Sequence, residues 1–150
     1  MEPLFSARLD PSEYWKGIGN TSLLSPDMPI ASLRVSRSIQ DFRGVLSQVV
    51  RLVEEGYVIL SGFISPGEIA IRDMLVSHPH AKIIHILTES MSCTYKPDSR
   101  FLLPLKEGRF LEIAHGNAST EFTRQTCLDL NQEIIEIVQV GLGICIYAKG

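Results

Sequence analysis

The chain has 150 residues, of which 45% are hydrophobic and 21% are charged, and this balance suits one compact domain with its own core. The formal charge of −3 argues against a generally basic, nucleic-acid-binding surface, and no apolar run approaches the roughly 20 residues of a membrane span. The first ten residues lack the basic and apolar segments of a signal peptide, so we expect a cytoplasmic protein.

The apolar pattern predicts an α/β fold. Residues 1–27 are rich in proline and glycine and are predicted to form an irregular arm that packs on the core. Beyond them, strand-like and helical segments alternate. The predicted strands cover residues 29–35, 57–60, 82–87, 109–114 and 144–148, and the predicted helices end near residues 55, 77 and 138. This alternation predicts one Rossmann-like domain over residues 28–150: an open, mostly parallel sheet of about five strands with helices on both faces.

Residues 56–74, GYVILSGFISPGEIAIRDM, form the most informative segment. A short apolar strand ends at Ser61-Gly62, and a helix starts near Gly67. The first amides of a helix have no internal partners, so this arrangement predicts an anion site in which the glycines allow close approach of a phosphate. The alternative is an ordinary connection in which the glycines serve the turn alone. For Glu68, in the first helical turn, we expect capping rather than catalysis.

Other polar residues are predicted to lie at the same edge of the sheet. Ser36, Arg37 and Ser38 follow the first predicted strand of the core, at the carboxyl edge where open α/β sheets bind ligands. Arg124 begins the last long helix. These residues are candidates for phosphate binding; the alternative is that Ser38 caps a helix and Arg37 is a solvated surface charge. Arg100 and Arg109 are candidates for completing a positive rim around this edge; the alternative is that they are ordinary surface residues.

The sequence predicts no metal, no cofactor and no catalytic residue. The three cysteines are too few and too scattered for a disulfide framework or a zinc site. His78 and His80 belong to a predicted surface loop, and His85 lies in an apolar strand where a core histidine is expected. His115 is near the ligand edge but has no visible nucleophile beside it. Because no catalytic triad order, complete phosphate loop or paired carboxylates are evident, an enzyme is not the favoured interpretation.

Several of these segments together resemble the Rossmann-like core of the DNA-processing protein A family, also called Smf. Gly19-Asn20 with Leu23-Leu24, Ser36-Arg37 after a strand, and Ser61-Gly62 with Gly67 occur in the family's order. The strand KIIHIL, the segment from Tyr95 to Arg100 and the run Phe122-Thr123-Arg124 resemble later family motifs. The resemblance extends from about Gly17 to the end of the chain and implies a Rossmann-like fold that binds single-stranded DNA.

The chain also departs from the family pattern. Val35 replaces the usual glycine before Ser36-Arg37, Ser65-Pro66 stand where an arginine is usual, and Thr126 and Cys127 replace an asparagine and an arginine. Two basic groups of the family's DNA-binding surface are therefore missing.

The leading hypothesis is a small DNA-processing protein A-like domain that binds a phosphate-bearing ligand, with single-stranded DNA as the partner that the resemblance implies. The first alternative is a small-nucleotide binder or a phosphoribohydrolase-like enzyme in which Glu68 or Glu89 polarises a ribose. The second is a degenerate assembly domain that forms a homodimer through the apolar stretches FLLPL and 134–140.

Overall fold

The computed structural model describes residues 3–116 and 123–149, which form one sheet flanked by helices. The strands are β1 (Pro3–Leu4), β2 (Trp15–Gly19), β3 (Ile30–Val35), β4 (Val58–Ser61), β5 (Lys82–Ile86), β6 (Phe110–His115) and β7 (Gly143–Ala148). The helices are α1 (Arg43–Glu54), α2 (Pro66–Ser77), α3 (Leu102–Lys106) and α4 (Arg124–Gln139).

The described strands form a seven-stranded sheet in the order β1-β2-β6-β5-β4-β3-β7. The neighbours within the group β6-β5-β4-β3-β7 pair in the parallel sense. The pairings of β1 with β2 and of β2 with β6 are antiparallel. The predicted α/β class with a mostly parallel sheet is therefore confirmed.

The prediction of an irregular N-terminus is wrong, and the strand count rises from about five to seven. Residues 15–19, WKGIG, pair with β6 from Trp15 opposite His115 to Gly19 opposite Leu111. Two glycines in five residues conceal this strand, because glycine has low intrinsic strand propensity. Pairing with β6 and burial of Trp15, which is 3% exposed, overcome that preference. The division into an arm and a domain stays a prediction.

Helices cover both faces of the sheet. Side chains of α1 and α2, such as Leu52 and Ile71, pack in one apolar cluster with Leu33 and Ile83. The buried side chains of α4 pack in a second cluster, on the opposite face, that includes Ile84. Alternation along the strands divides the side chains between the two faces. Both faces of the central strands are therefore buried, as expected for parallel strands.

The helix boundaries follow from local chemistry. The Asp41 carboxylate accepts a hydrogen bond from the Arg43 amide at the start of α1, with Phe42 as the N-cap residue. Gly56, with a φ of 92°, allows the chain to turn from α1 into β4. Pro104 lies within the short helix α3, near its start, where a missing amide hydrogen costs little.

The strand order reverses at β3. The chain passes from β3 to β4, β5 and β6 on one side, and β7 then pairs with the other side of β3. In open α/β sheets, a crevice forms outside the carboxyl ends of the strands where the order reverses in this way. The fold therefore places its main crevice beside residues 35–37. No helix among the described residues combines the length and the apolarity needed to cross a membrane.

Candidate functional site

A cleft of about 540 Å³ lies at this reversal point. Its walls come from the end of β3, the connection between β4 and α2, the first turns of α4 and the end of β7. Ser36, Arg37 and Arg124, three of the seven predicted site residues, lie together in its lining although they are distant in sequence. The fold thus assembles part of the predicted site.

Three arginines make this cleft basic. Arg34, Arg37 and Arg124 line it and are exposed. Among the described residues, none of the three forms an ion pair. A guanidinium can donate two parallel hydrogen bonds to a phosphate, so the cleft has the donors that a phosphate-bearing ligand needs.

Arg34 and Tyr147 belong to the cleft, although the sequence reasoning did not single them out. The Arg34 guanidinium carbon lies 4.7 Å from the centre of the Tyr147 ring, and this ring is 50% exposed. The two side chains come from neighbouring strands, because Arg34 pairs with Tyr147 in the register of β3 and β7. One signal was available: Arg34 is a charged residue in the apolar strand IASLRV, just before the predicted ligand edge.

A tight turn holds the residues that follow β3. The Ser36 amide donates to the Ala148 carbonyl, and the Ser36 and Ser38 hydroxyls lie 2.9 Å apart. The Ser38 amide donates to the Ser36 hydroxyl. Ser38 does not cap α1, which begins at Arg43. The turn leaves Arg37 exposed at the mouth of the cleft.

The first turn of α4 carries Arg124 into the cleft. Thr123 is the N-cap residue: its hydroxyl accepts from the Thr126 amide, and the Thr126 hydroxyl accepts from the Thr123 amide. This reciprocal pair satisfies two otherwise unpaired amides and fixes where the helix begins. The predicted turn and helix-start residues Asn117, Ser119, Thr120 and Phe122 lie outside the described residues.

A carboxylate of the protein itself lies beside the predicted anion position at the start of α2, and it accepts hydrogen bonds from amides of the preceding segments. Glu68 is 7% exposed; one of its carboxylate oxygens accepts from the Val35 amide and the other from the Ile64 amide, both at 2.9 Å. Ser65 is the N-cap residue, and its hydroxyl accepts from the Glu68 amide. The Glu68 side chain therefore joins the ends of β3 and β4 and neutralises partial positive charge there. The prediction that Glu68 caps α2 is wrong, because Ser65 forms the cap and the Glu68 carboxylate bonds to amides outside the helix.

Four of the seven predicted residues do not line the cleft: Ser38 lies in the exposed turn after β3, and the other three lie apart from the arginines. Ser61 is 1% exposed, and its hydroxyl bonds to the Phe63 amide and to Glu68. A Cβ atom on Gly67 would lie 2.7 Å from a methyl group of Val35, so this glycine allows α2 to approach β3. Gly62 lines a second cavity rather than the arginine cleft. Phosphate binding by any predicted residue stays a prediction.

Arg100 and Arg109 do not complete a positive rim around the cleft. Arg109 is 7% exposed, and its guanidinium donates to the carbonyls of Ala81 and Val76, at the opposite edge of the sheet. Arg100 pairs with Asp98. The sequence does not distinguish Arg109 from the arginines of the cleft, because two of its partners are backbone carbonyls of a distant segment.

Two of the histidines lie in a surface loop, and a third, His85, lies in the core. His78 and His80 lie in the loop after α2 and both contact Glu54, as a surface loop allows. His85 is buried as expected, but its Nδ1 has no hydrogen-bond partner among the described residues and lies 3.4 Å from a Glu112 carboxylate oxygen. The prediction of a core histidine is therefore confirmed in its burial, but not in the hydrogen bonding of both ring nitrogens.

His115 belongs to a cluster of charged groups near the N-terminus. Its Nε2 lies 2.7 Å from a Glu13 oxygen and 3.8 Å from a Glu133 oxygen. The ligand-type atoms of these three residues all lie within 4.8 Å of one another. Burial raises the pKa of Glu133, and the nearby His115 opposes that change. We interpret the cluster as ion pairs that join α4 to the segment before β2.

Two solved structures share this fold. DNA processing protein A from Helicobacter pylori, whose single-stranded DNA binding mode has been described, gives a TM-score of 0.64 at 18% identity, covering 99% of this chain and 69% of that one. DNA processing protein A from Streptococcus pneumoniae gives a TM-score of 0.61 at 16% identity, covering 95% of this chain and half of that one. No family model and no curated protein sequence matches the chain. The structural likeness confirms the fold that the sequence resemblance implies.

Proposed function

We propose that this chain is a DNA-processing protein A-like domain that binds the phosphates of single-stranded DNA in the arginine cleft. The observation that carries the proposal is the convergence of Arg34, Arg37 and Arg124, from two distant parts of the chain, on one open cleft. Exposed guanidinium groups attract a polyanion locally even though the whole chain is slightly acidic.

A single strand suits this cleft better than a duplex. Single-stranded binding combines a basic groove with an aromatic platform on which a base can stack. The half-exposed Tyr147 ring, beside Arg34, supplies such a platform. The H. pylori protein, which shares the fold, has a described single-stranded DNA binding mode.

Binding of the phosphodiester backbone requires no catalytic group in the cleft. Glu68, one of the two carboxylates that the phosphoribohydrolase alternative offers for polarising a ribose, is buried and accepts amide hydrogen bonds with both oxygens. This engagement favours a binding role for the cleft. We therefore propose a non-enzymatic domain.

The proposal includes a homodimer in the cytoplasm. In the stretch FLLPL, Leu102 is 61% exposed and Leu103 is 56% exposed. These apolar side chains suit a contact between two copies of the chain. The stretch 134–140 contributes less than the sequence suggests, because Ile134, Ile137 and Val138 are buried against the sheet. Light scattering at high protein concentration should give the mass of two chains; the mass of one chain would contradict the dimer.

The main test is fluorescence anisotropy of a labelled oligodeoxythymidine at two salt concentrations. Each phosphate contact adds about 0.7 to the salt dependence of single-strand binding, so the double variant Arg37→Ala, Arg124→Ala should reduce that slope by about 1.4. Its affinity at low salt should fall at least about tenfold.

A matched control has the same change in charge on α1. Arg43→Ala with Arg51→Ala removes two exposed arginines that do not line the cleft. This variant should bind nearly as the wild type does. Absence of salt-sensitive binding by the wild type, or equal losses in both double variants, would contradict the proposed function; saturable binding of a nucleoside monophosphate without oligonucleotide binding would favour the small-nucleotide alternative.

A further inference from the structure

A second cavity, of about 400 Å³, lies beside the arginine cleft at the same carboxyl edge. Ile64 lines both, so the segment between β4 and α2 separates them. The second cavity lies outside β5, two strands from β3, and neighbouring strands are about 5 Å apart. A ligand about 10 Å long therefore reaches from one to the other.

Buried polar groups that the arginine cleft does not use form the floor of this cavity. His85 lines it, with its Nδ1 unpartnered among the described residues. Tyr95 also lines it, and its hydroxyl donates to Glu112 at 2.7 Å. Glu112 is 1% exposed and pairs directly with His85 in the register of β5 and β6. Burial, together with this hydrogen bond, raises the pKa of Tyr95, so the phenol stays neutral.

The two cavities differ in charge. Three arginines and the buried, amide-bonded Glu68 line the first, whereas the second has Glu89 in its wall and Glu112 behind Tyr95. A phosphate in the second cavity would meet these carboxylates without a cation in the lining. A flat ring with N–H donors fits its chemistry, because a carboxylate and the hydroxyls of Thr88 and Ser90 accept hydrogen bonds.

The wall between the cavities is held in an unusual conformation. Phe63 has a φ of 48°, a value that non-glycine residues rarely adopt. Its ring is 3% exposed and packs edge-on against the His85 ring at a centroid distance of 5.3 Å. Backbone strain of this kind is concentrated at ligand sites, where surrounding structure maintains it. Here it directs the chain so that Gly62 and Ile64 face the second cavity.

We propose that the second cavity binds a nucleobase bearing an exocyclic amino group, while a phosphate of the same or the next nucleotide lies in the arginine cleft. This inference rests on the proposed function, because it needs the phosphate in that cleft. The class of ligand follows from the pairing of a basic cleft with a cavity rich in acceptors, which matches the negative charge of a phosphate and the N–H donors of a neutral amino-bearing base.

The test compares two ligands of equal length: oligodeoxycytidine, and an abasic oligomer that has the same sugar–phosphate backbone without bases. Thr88→Trp fills the cavity, and Thr94→Trp places the same ring on an exposed residue outside its lining. Stacking on Tyr147 contributes equally to the affinity of both variants. The difference between their affinities for oligodeoxycytidine therefore measures the contribution of the second cavity alone.

Thr88→Trp should bind oligodeoxycytidine about tenfold more weakly than Thr94→Trp, the ratio that one or two ordinary hydrogen bonds supply. The two variants should bind the abasic oligomer equally. Glu89→Ala, a change at an exposed residue that folding tolerates, should also weaken oligodeoxycytidine binding and leave abasic binding unchanged.

Equal oligodeoxycytidine affinity in both tryptophan variants, or parallel loss of both ligands in Glu89→Ala, would overturn the inference and leave the proposed function standing if the abasic oligomer still binds. Failure of the wild type to bind either ligand would overturn both.

Discussion

Helices α2 and α4 both contribute their first turns to the arginine cleft, but the two helix starts present different charged groups: a buried carboxylate at α2 and an exposed arginine at α4. At α2, the buried Glu68 carboxylate accepts amide hydrogen bonds from the ends of β3 and β4. At α4, an exposed pair of threonines forms the cap and Arg124 projects into the cleft. The comparison teaches that a strand, a glycine turn and a helix start do not by themselves define a ligand site, because the chain can supply its own anion.

The largest expected effect comes from removing that internal anion. Glu68→Ala leaves the amides of Val35 and Ile64 without their acceptor, which should lower the free energy of unfolding by about 3 kcal/mol. Denaturant unfolding measures this loss. Inorganic phosphate should stabilise the variant more than the wild type, since the amides then face an empty anion position. Unchanged stability would contradict the role assigned to Glu68.

Gly67→Ala should have the next largest effect and tests whether this glycine serves packing. The added methyl would lie 2.7 Å from the buried Val35 side chain, so α2 must shift at a cost of about 2 kcal/mol. The folded variant should bind oligonucleotide with nearly wild-type affinity in the anisotropy assay. A loss of binding without a loss of stability would instead support a direct phosphate contact at Gly67.

The two helix caps offer a matched pair of smaller changes. Ser65→Ala and Thr123→Ala each remove an N-cap hydroxyl and should each cost about 1 kcal/mol of stability. Only Thr123→Ala should also weaken oligonucleotide binding, because it loosens the turn that positions Arg124. Equal effects of both variants on binding would remove the distinction between the two helix starts.

The smallest effect concerns Glu133, an α4 carboxylate whose charged form burial disfavours. Its pKa in the fold lies above the ordinary 4.5, so its contribution to stability is present below pH 4.5 and is lost as the pH rises through the raised pKa. Glu133→Gln should therefore raise the free energy of unfolding by about 0.5 kcal/mol at neutral pH, with a smaller gain in acid. Thermal unfolding at both pH values measures the difference; a gain confined to acid would contradict the sign.

Much of the fold could be predicted from the sequence because apolar periodicity and burial agree over long segments. The helix predicted to end near residue 55 and the strand KIIHIL are found within one or two residues of the expected bounds. The strand β2 was missed because its stability comes from pairing with β6, about a hundred residues away in the chain. Local propensity carries no information about such a partner.

The site was only partly predictable for a similar reason. Position after a strand identified Ser36 and Arg37, and the start of a helix identified Arg124. Tyr147 enters the cleft through the pairing of β7 with β3, which the order of elements does not reveal. At the expected anion site the Glu68 carboxylate instead bridges amides of the two preceding segments. The sequence alone does not show whether a carboxylate in a first helical turn caps its own helix or bridges other segments in this way.

The most direct measurement is backbone amide NMR of the isotope-labelled protein during titration with the abasic oligomer, which reports phosphate contacts alone. The account predicts that the largest changes in amide chemical shift occur at Arg37, Ser38 and Arg124. The amide chemical shifts of Gly67 and Ile69, at the start of α2, should hardly change. Large shifts at Gly67 and Ile69 with none at Arg37 and Arg124 would contradict the central claim that phosphate binds in the arginine cleft and not at the first amides of α2.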